Sequence, residues 1–346
     1  MTVERPNLSG VDPEILAYIE ALEAELEDLR DREESSSSRS EATFEPSEPP
    51  TTINVISVSK DGLAKRTPRH LYFRQRRGGM GVFDLEGPED DPPAFLLLAD
   101  ESAGLIVVTS HARAFRTAVS HLPETPVRGR GQTLLSGLPL REGEKLALVF
   151  PDHGGQFLSL VSERGQIRRF GSQQLGPKLQ PGTVLYDTRE GGGPAAFAWT
   201  SGSDEILITT LLGKGIRFSE RQIPVRGCLG MRVDPNDRVV GVAGAPADGG
   251  IFLMTADGKG TVRLLSGFTP NKEPGSGGKV AMKTDILIGA VAIKDNSDVF
   301  VISRLGKIVR FAVSDVPAKE GVVQGVNCMA LRADECTAVA ACPIGG

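Results

Sequence analysis

Aromatic residues make up only 5% of this chain and tryptophan occurs once, so its core must be built mostly from aliphatic side chains. Cysteine is scarce as well. Cys228, Cys328, Cys336 and Cys342 fall late, at irregular spacing and without a CxxC pair, which argues against a zinc site and for reduced thiols. No apolar run approaches the ~18 residues of a membrane span. Residues 1–10 are polar, include Glu4 and Arg5, and lead into no apolar run, so no signal peptide is expected. His70, His111, His121 and His153 lack metal-ligand spacing. Gly275-Ser276-Gly277-Gly278-Lys279 approaches a phosphate loop, but Glu273 replaces its first glycine and Val280 its Ser/Thr. No Ser/His/Asp or paired-carboxylate arrangement stands out. Neither a metal nor a cofactor is expected.

What the chain does have is glycine, 41 residues of it in 346, with 23 prolines and 40% hydrophobic residues, a composition suited to many strands joined by turns. Its charge is segregated. Residues 1–50 hold 4 Lys/Arg against 14 Asp/Glu, a net of −10, which leaves 35 against 30, a net of +5, on residues 51–346. A mildly basic body with an acidic head fits a polyanion partner.

Three zones follow from the pattern. Over residues 1–32, Asp12 can cap and Pro13 can open a helix. Ile15, Ile19, Leu22, Leu26 and Leu29 then form a short heptad seam, with Glu20, Glu23, Glu25 and Glu27 outside it. This acidic amphipathic helix could tether two protomers through residues 13–30 or lie alone on the main domain. Residues 33–51, rich in Ser, Glu and Pro, read as a disordered linker.

Residues 52–346 repeat. An apolar run, a turn and a strand bearing an arginine recur six times, with the arginines at Arg66, Arg116, Arg169, Arg217, Arg263 and Arg310, at steps of 50, 53, 48, 46 and 47 residues. Gly62, Ala112, Gly165, Gly213 and Gly306 stand four residues before their arginine, and Gly258 five before its own. A second apolar strand follows in each unit, as in Lys145–Val149 or Val239–Ala243, giving roughly four short strands per unit. A period of ~40–50 residues with four strands is that of a propeller blade, and no blade can cover both faces of its sheet alone. The expected fold is all-β, a six-bladed β-propeller.

In Ile216-Arg217-Phe218 and Val309-Arg310-Phe311 the arginine alternates with apolar neighbours. Strand periodicity turns it away from them, which could set one cation on the outer strand of every blade. Lys65, Arg74, Arg168, Lys214 and Lys307 would add to such a rim. Alternatively, each arginine pairs with an acid of the next blade.

The first unit reads Asp61-Gly62-Leu63-Ala64-Lys65-Arg66-Thr67-Pro68, and Tyr72 leads into Gln75-Arg76-Arg77-Gly78-Gly79-Met80-Gly81. This resembles the first blade of the C-terminal domain of the DNA gyrase A subunit, whose hallmark box is Gln-Arg-Arg-Gly-Gly-(Lys/Arg)-Gly. Six of the seven positions match. The likeness covers about residues 52–346 and implies a six-bladed β-pinwheel that wraps double-stranded DNA on its basic rim, with the box loop closing the ring. Gln75, Arg76, Arg77, Gly78, Gly79 and Gly81 are the implied DNA contacts. Read by themselves, Arg76, Arg77 and the glycines form a basic loop whose N–H groups suit phosphate.

Two departures qualify the resemblance. Met80 stands where the family has Lys or Arg, and the acidic run 86–91 follows the box. The family also places a strand-cutting domain with a nucleophilic Tyr after an Arg before this one, whereas none of Tyr18, Tyr72 and Tyr186 follows an Arg. The sequence therefore predicts a non-catalytic DNA-binding protein, cytoplasmic and nucleoid-associated, without a membrane partner, acting alone or beside a topoisomerase. The rival reading is a propeller that has lost DNA binding and serves as a protein-interaction scaffold. Removal of residues 1–50 is expected to tighten DNA binding.

Overall fold

In the computed structural model the described residues are Ile15 and 48–343 without 272. The expected helix over 1–32, Ile15 excepted, and most of the expected linker lie outside them.

Each repeat opens with a hairpin, and the pairs are Ile53–Ser59 with Leu63–Pro68, Gly104–Thr109 with Arg113–Ala118, and Phe157–Ser162 with Gln166–Gly171. Glu205–Thr210 pairs with Lys214–Ser219, Gly250–Thr255 with Lys259–Leu264, and Ser297–Ser303 with Lys307–Ala312. The recurring glycine is the left-handed residue of the turn, from φ +73° at Gly213 to +93° at Gly62, and Ala112 occupies the same conformation at +54°. At Gly213 and Gly306 a Cβ would also come within 2.3 Å of the Met282 carbonyl and 2.6 Å of the Leu85 carbonyl.

A third strand pairs with the first of each hairpin and lies nearest the axis. These inner strands are Pro93–Asp100, Leu146–Pro151, Pro194–Thr200, Val239–Ala245, Leu287–Ile293 and Cys336–Pro343, for blades 1 to 6 in turn. Each contacts the inner strand of the next blade, and the sixth contacts the first, so the ring is closed.

The fourth, outermost strand comes from the following repeat. Gln132–Thr133 edges blade 1, Thr183–Val184 blade 2, Cys228–Leu229 blade 3 and Lys279–Val280 blade 4. Ala318–Lys319 and Val326–Asn327 edge blade 5. For blade 6 the following repeat is the first, and Val82–Phe83, just after the box-like sequence, pairs with Lys307 and Ile308. Four strands per blade were expected; their exchange between repeats is what the structure adds.

The core consists of six seams between adjacent blades. Ile56, Leu97, Leu105 and Phe115 fill the first, and Val55, Tyr72, Phe300 and Ile308 fill the last, between blades 6 and 1. The other four seams are built alike. Both faces of each sheet are therefore covered, and the first strand of blade 2 is buried along its whole length. Each fully buried Phe or Ile in a seam contributes about 1.5–3 kcal/mol relative to exposure.

Candidate nucleic-acid interface

The box-like loop sits on the seam that closes the ring. Gln75 N–H donates to the Arg310 carbonyl (2.7 Å), Gly78 N–H to the Cys328 carbonyl (2.8 Å), and Ala330 N–H to the Gly79 carbonyl (3.0 Å). Arg77 donates from Nε to the Asp315 carbonyl (2.8 Å) and from Nη1 to that of Asn327 (3.1 Å). The glycines serve this docking. Gly78 and Gly81 have φ of +83° and +72°, and a Cβ on Gly81 would meet the Ile308 carbonyl at 2.6 Å. The Gly78 N–H is thus consumed by the fold and is not open to phosphate. Arg76, by contrast, is exposed and has no hydrogen-bond or ion-pair partner among the described residues.

The closing strand is fixed from below. Asp84 follows Val82–Phe83 and is fully buried, paired with the Lys65 ammonium at 2.8 Å. It also accepts hydrogen bonds from Ser57 Oγ (2.6 Å) and Tyr72 OH (2.5 Å). Lys65 Nζ further donates to the Pro126 and Val127 carbonyls. Burial pulls the Lys65 ammonium below the usual lysine range, against the opposing attraction of Asp84. Lys65 therefore belongs to the ring closure and not to the rim.

The repeated arginines are likewise not a row of free cations. A propeller covers both faces of each sheet, so pointing away from one seam means pointing into the next. Arg310 lies 2.6 Å from Asp298 and 3.1 Å from Glu48, and donates to the Tyr72 carbonyl at 3.0 Å. Arg217 lies 3.0 Å from Glu205 and donates to the carbonyls of Leu265 and Phe268. Arg66 donates to the Leu122 carbonyl (2.8 Å) and pairs with Glu124 (3.1 Å). In these three, an arginine of one blade clasps the 3-10 turn of the next repeat, at residues 69–71, 265–267 or 119–121. Arg116 pairs with Asp152 (2.6 Å), and Arg169 with Glu220 (3.4 Å) and the Phe157 ring.

Arg263 differs. It is 4% exposed, yet its Nε and Nη1 have no protein partner, and only Nη2 donates, to the Gly267 carbonyl. Of the other expected rim residues, Arg74 pairs with Asp298 (3.0 Å), Arg168 donates to the Leu185 carbonyl and Lys214 pairs with Asp234 (2.5 Å). Lys307 is half-exposed, without an acidic partner, and lies 5.2 Å from the Phe83 ring centre.

Exposed cations do recur around the ring, on the exchanged segments. Arg76 precedes the outer strand of blade 6, Arg130 that of blade 1, Lys178 that of blade 2 and Arg226 that of blade 3. Lys279 and Lys319 lie on the outer strands of blades 4 and 5. All six are exposed and carry no ion pair among the described residues. Arg128 is also exposed but pairs with Glu86 at 2.6 Å. Sequence reasoning found Arg76 through the box but passed over the other five, because outer strands of two residues have no readable period. The signal available was position, just ahead of each repeat's last long strand.

The buried cysteines are inert by environment, since burial pushes the thiols of Cys328 and Cys336 up to about 12. Among the described residues there is no cluster of three potential metal ligands, and no helix is long and apolar enough to cross a membrane.

Comparison with known proteins agrees with this architecture. A family model described as the DNA gyrase C-terminal domain, β-propeller, matches residues 54–89, 105–151, 204–244 and 297–319. The DNA gyrase A subunit of Escherichia coli (strain K12) is 27% identical over 293 residues, covering 81% of this chain and 33% of the relative. That of Mycolicibacterium smegmatis is 25% identical over 293 residues, covering 80% and 34%. The chain thus spans about a third of the length of the curated relatives it matches. Among solved structures, a DNA gyrase A C-terminal domain superposes with a TM-score of 0.74 at 17% identity, covering 83% of this chain and 98% of that one. The C-terminal domain of a DNA topoisomerase IV gives 0.58 at 17% identity, covering 85% and 94%. The matched segments fall in blades 1, 2, 4 and 6, and the chain is accordingly similar in sequence and fold to the C-terminal domain of the DNA gyrase A subunit.

Proposed function

We propose that this chain binds duplex DNA along the outer edges of its blades and bends or wraps it there without cutting it, so modulating DNA topology alone or beside a complete topoisomerase. The observation that carries this reading is the recurrence of an exposed, unpaired cation at the outer edge of all six blades, from Arg76 to Lys319. A duplex following a curved edge needs regularly spaced phosphate contacts, because bending a 20–30 bp site by 40–90° costs on the order of 1–6 kcal/mol. Contacts of this kind position the backbone and read little sequence. On this reading the box loop contributes Arg76 directly, while Arg77, Gly78, Gly79 and Gly81 hold the loop in place. The protein would act in the cytoplasm on nucleoid DNA, as a monomer or as a dimer held through residues 13–30.

The test is topological. Nicked plasmid is sealed by ligase with increasing amounts of protein and deproteinised, and its linking number is measured. Wrapping with a fixed hand shifts linking number in proportion to bound protein, and binding without a shift contradicts wrapping. A scaffold reading is favoured by one specific feature, the acidic run 86–91 with Glu86 neutralising Arg128. It predicts no duplex binding at all.

A further inference from the structure

Beside Arg76 the edge of blade 6 is apolar. Met80 is 54% exposed, Val82 45% and Phe83 51%. The fold tolerates a small apolar residue at this edge, with Val184 56% and Val280 46% exposed, but it does not call for an aromatic ring. At the place of Phe83, opposite the first residue of the hairpin's second strand, the other blades carry Thr133, Val184, Leu229, Val280 and Asn327. Phe83 is thus the single aromatic among the six outer-edge positions. Its ring is flanked by cations, Lys307 Nζ at 5.2 Å and the Arg128 guanidinium at 5.7 Å.

We infer that Phe83, backed by Met80, is a wedge that enters a base step of duplex DNA passing over blade 6. The inference rests on the DNA-binding reading and adds a contact to it. An apolar point ringed by cations fits a duplex, whose phosphates flank a groove floored by base edges, with apolar base faces stacked behind them that a wedge can reach by opening a step. An apolar protein surface would have to desolvate Arg76 and Lys307 without neutralising them. Inserted Phe and Met side chains are a known means of unstacking a step and kinking the helix. Phosphates would also draw Lys307 and Arg128 off the ring and free its faces. A wedge needs a rigid base, and this one stands on a paired strand anchored by buried Asp84. The box position held by Met80 then exchanges one phosphate contact for apolar contact within the groove.

The experiment uses duplexes carrying 2-aminopurine at successive positions, titrated with the full chain, Phe83→Ala and Phe83→Leu. Thermal melting of both variants should match wild type, because the ring is exposed. Wild type should raise 2-aminopurine fluorescence several-fold, Phe83→Leu in part and Phe83→Ala not at all, with the salt dependence of binding unchanged. Duplex binding without a rise in the wild type, or an equal rise in Phe83→Ala, overturns the wedge and leaves the rim reading standing. Absence of duplex binding by the wild type overturns the rim reading and the wedge with it. A concentration-dependent dimer in sedimentation that Phe83→Ala abolishes, with no fluorescence rise, assigns the patch to a second copy and equally overturns the wedge.

Discussion

The Lys65 ammonium lies 2.8 Å from Asp84 Oδ1 with both side chains fully buried, and this pair joins the first hairpin of blade 1 to the strand that closes blade 6. Breaking a buried pair leaves an uncompensated charge, at a cost of about 3–5 kcal/mol. Asp84→Asn should lose about that much in urea unfolding and should speed amide exchange at Val82 and Phe83 first. The double variant Lys65→Met/Asp84→Asn should recover part of the loss. An Asp84→Asn chain as stable as wild type would contradict the assignment of this pair as the closure.

Arg310 and Arg263 differ in register and in partners: Arg310 lies opposite Phe300 in its hairpin, a place held in blade 5 by Val262 opposite Phe252, and Arg263 sits one residue further on, opposite Ile251. Arg310 has Asp298 at 2.6 Å, whereas the residue at the register position of Asp298 in blade 5 is Gly250, so Arg263 has no such acid in its own hairpin. Arg310→Met should cost up to about 3–5 kcal/mol, because it leaves buried Asp298 only the partly exposed Arg74 as a partner. Arg263→Met, which removes a buried guanidinium with two unpaired N–H donors, should change stability by less than about 1 kcal/mol or raise it. Equal losses from the two would refute the distinction.

Ala112 carries φ +54° where the other five hairpins have glycine. Left-handed backbone costs a residue with a Cβ roughly 1–2 kcal/mol, of which glycine's greater unfolded-state freedom cancels about 0.5–1. Ala112→Gly should stabilise the chain by about 0.5–1 kcal/mol in denaturant unfolding, without altering DNA binding.

The buried thiols give the fold an alkaline limit. Cys328 and Cys336 ionise near 9.0 when unfolded and are pushed up to about 12 by burial in the fold. Between those values the folded state holds more protons, so stability falls as pH rises, by up to about 1.4 kcal/mol per pH unit for each thiol, and is unaffected by them below pH 9. Tyr72, also raised by burial, acts in the same direction, and Lys65, lowered by burial, acts in the opposite one. The difference between wild type and Cys328→Ala/Cys336→Ala isolates the thiols, and it should be flat to pH 9 and fall beyond it.

The blade count and the box were legible in the sequence because each rests on a local rule. The hairpin turn requires a left-handed residue, so Gly62, Gly165, Gly213, Gly258 and Gly306 mark the units. The direction of the arginines was not legible. Alternation tells one face of a sheet from the other, but a propeller covers both, so Arg217 and Arg310 meet an adjacent blade where a two-layer sheet would meet water. Their acids could have been found, since Glu205 and Asp298 each stand twelve residues before their arginine, the reach of one hairpin. The exchange of outer strands was not legible either, because two-residue strands such as Val82–Phe83 have no period and their destination is set by the ring. The exposed cations travel on those segments, and for that reason Arg130, Lys178, Arg226, Lys279 and Lys319 were missed while Arg76 was found through the box.

The most direct measurement is a duplex-binding titration at several salt concentrations with wild type, Arg76→Ala and a variant lacking Arg130, Arg226 and Lys279 together. If the six outer-edge cations each neutralise a phosphate, the wild-type logarithmic salt slope is about −5, Arg76→Ala reduces it by about 0.9 and the triple variant by about 2.7. A wild type that binds no duplex at low salt, or a slope that none of these substitutions changes, would contradict binding at the outer edge.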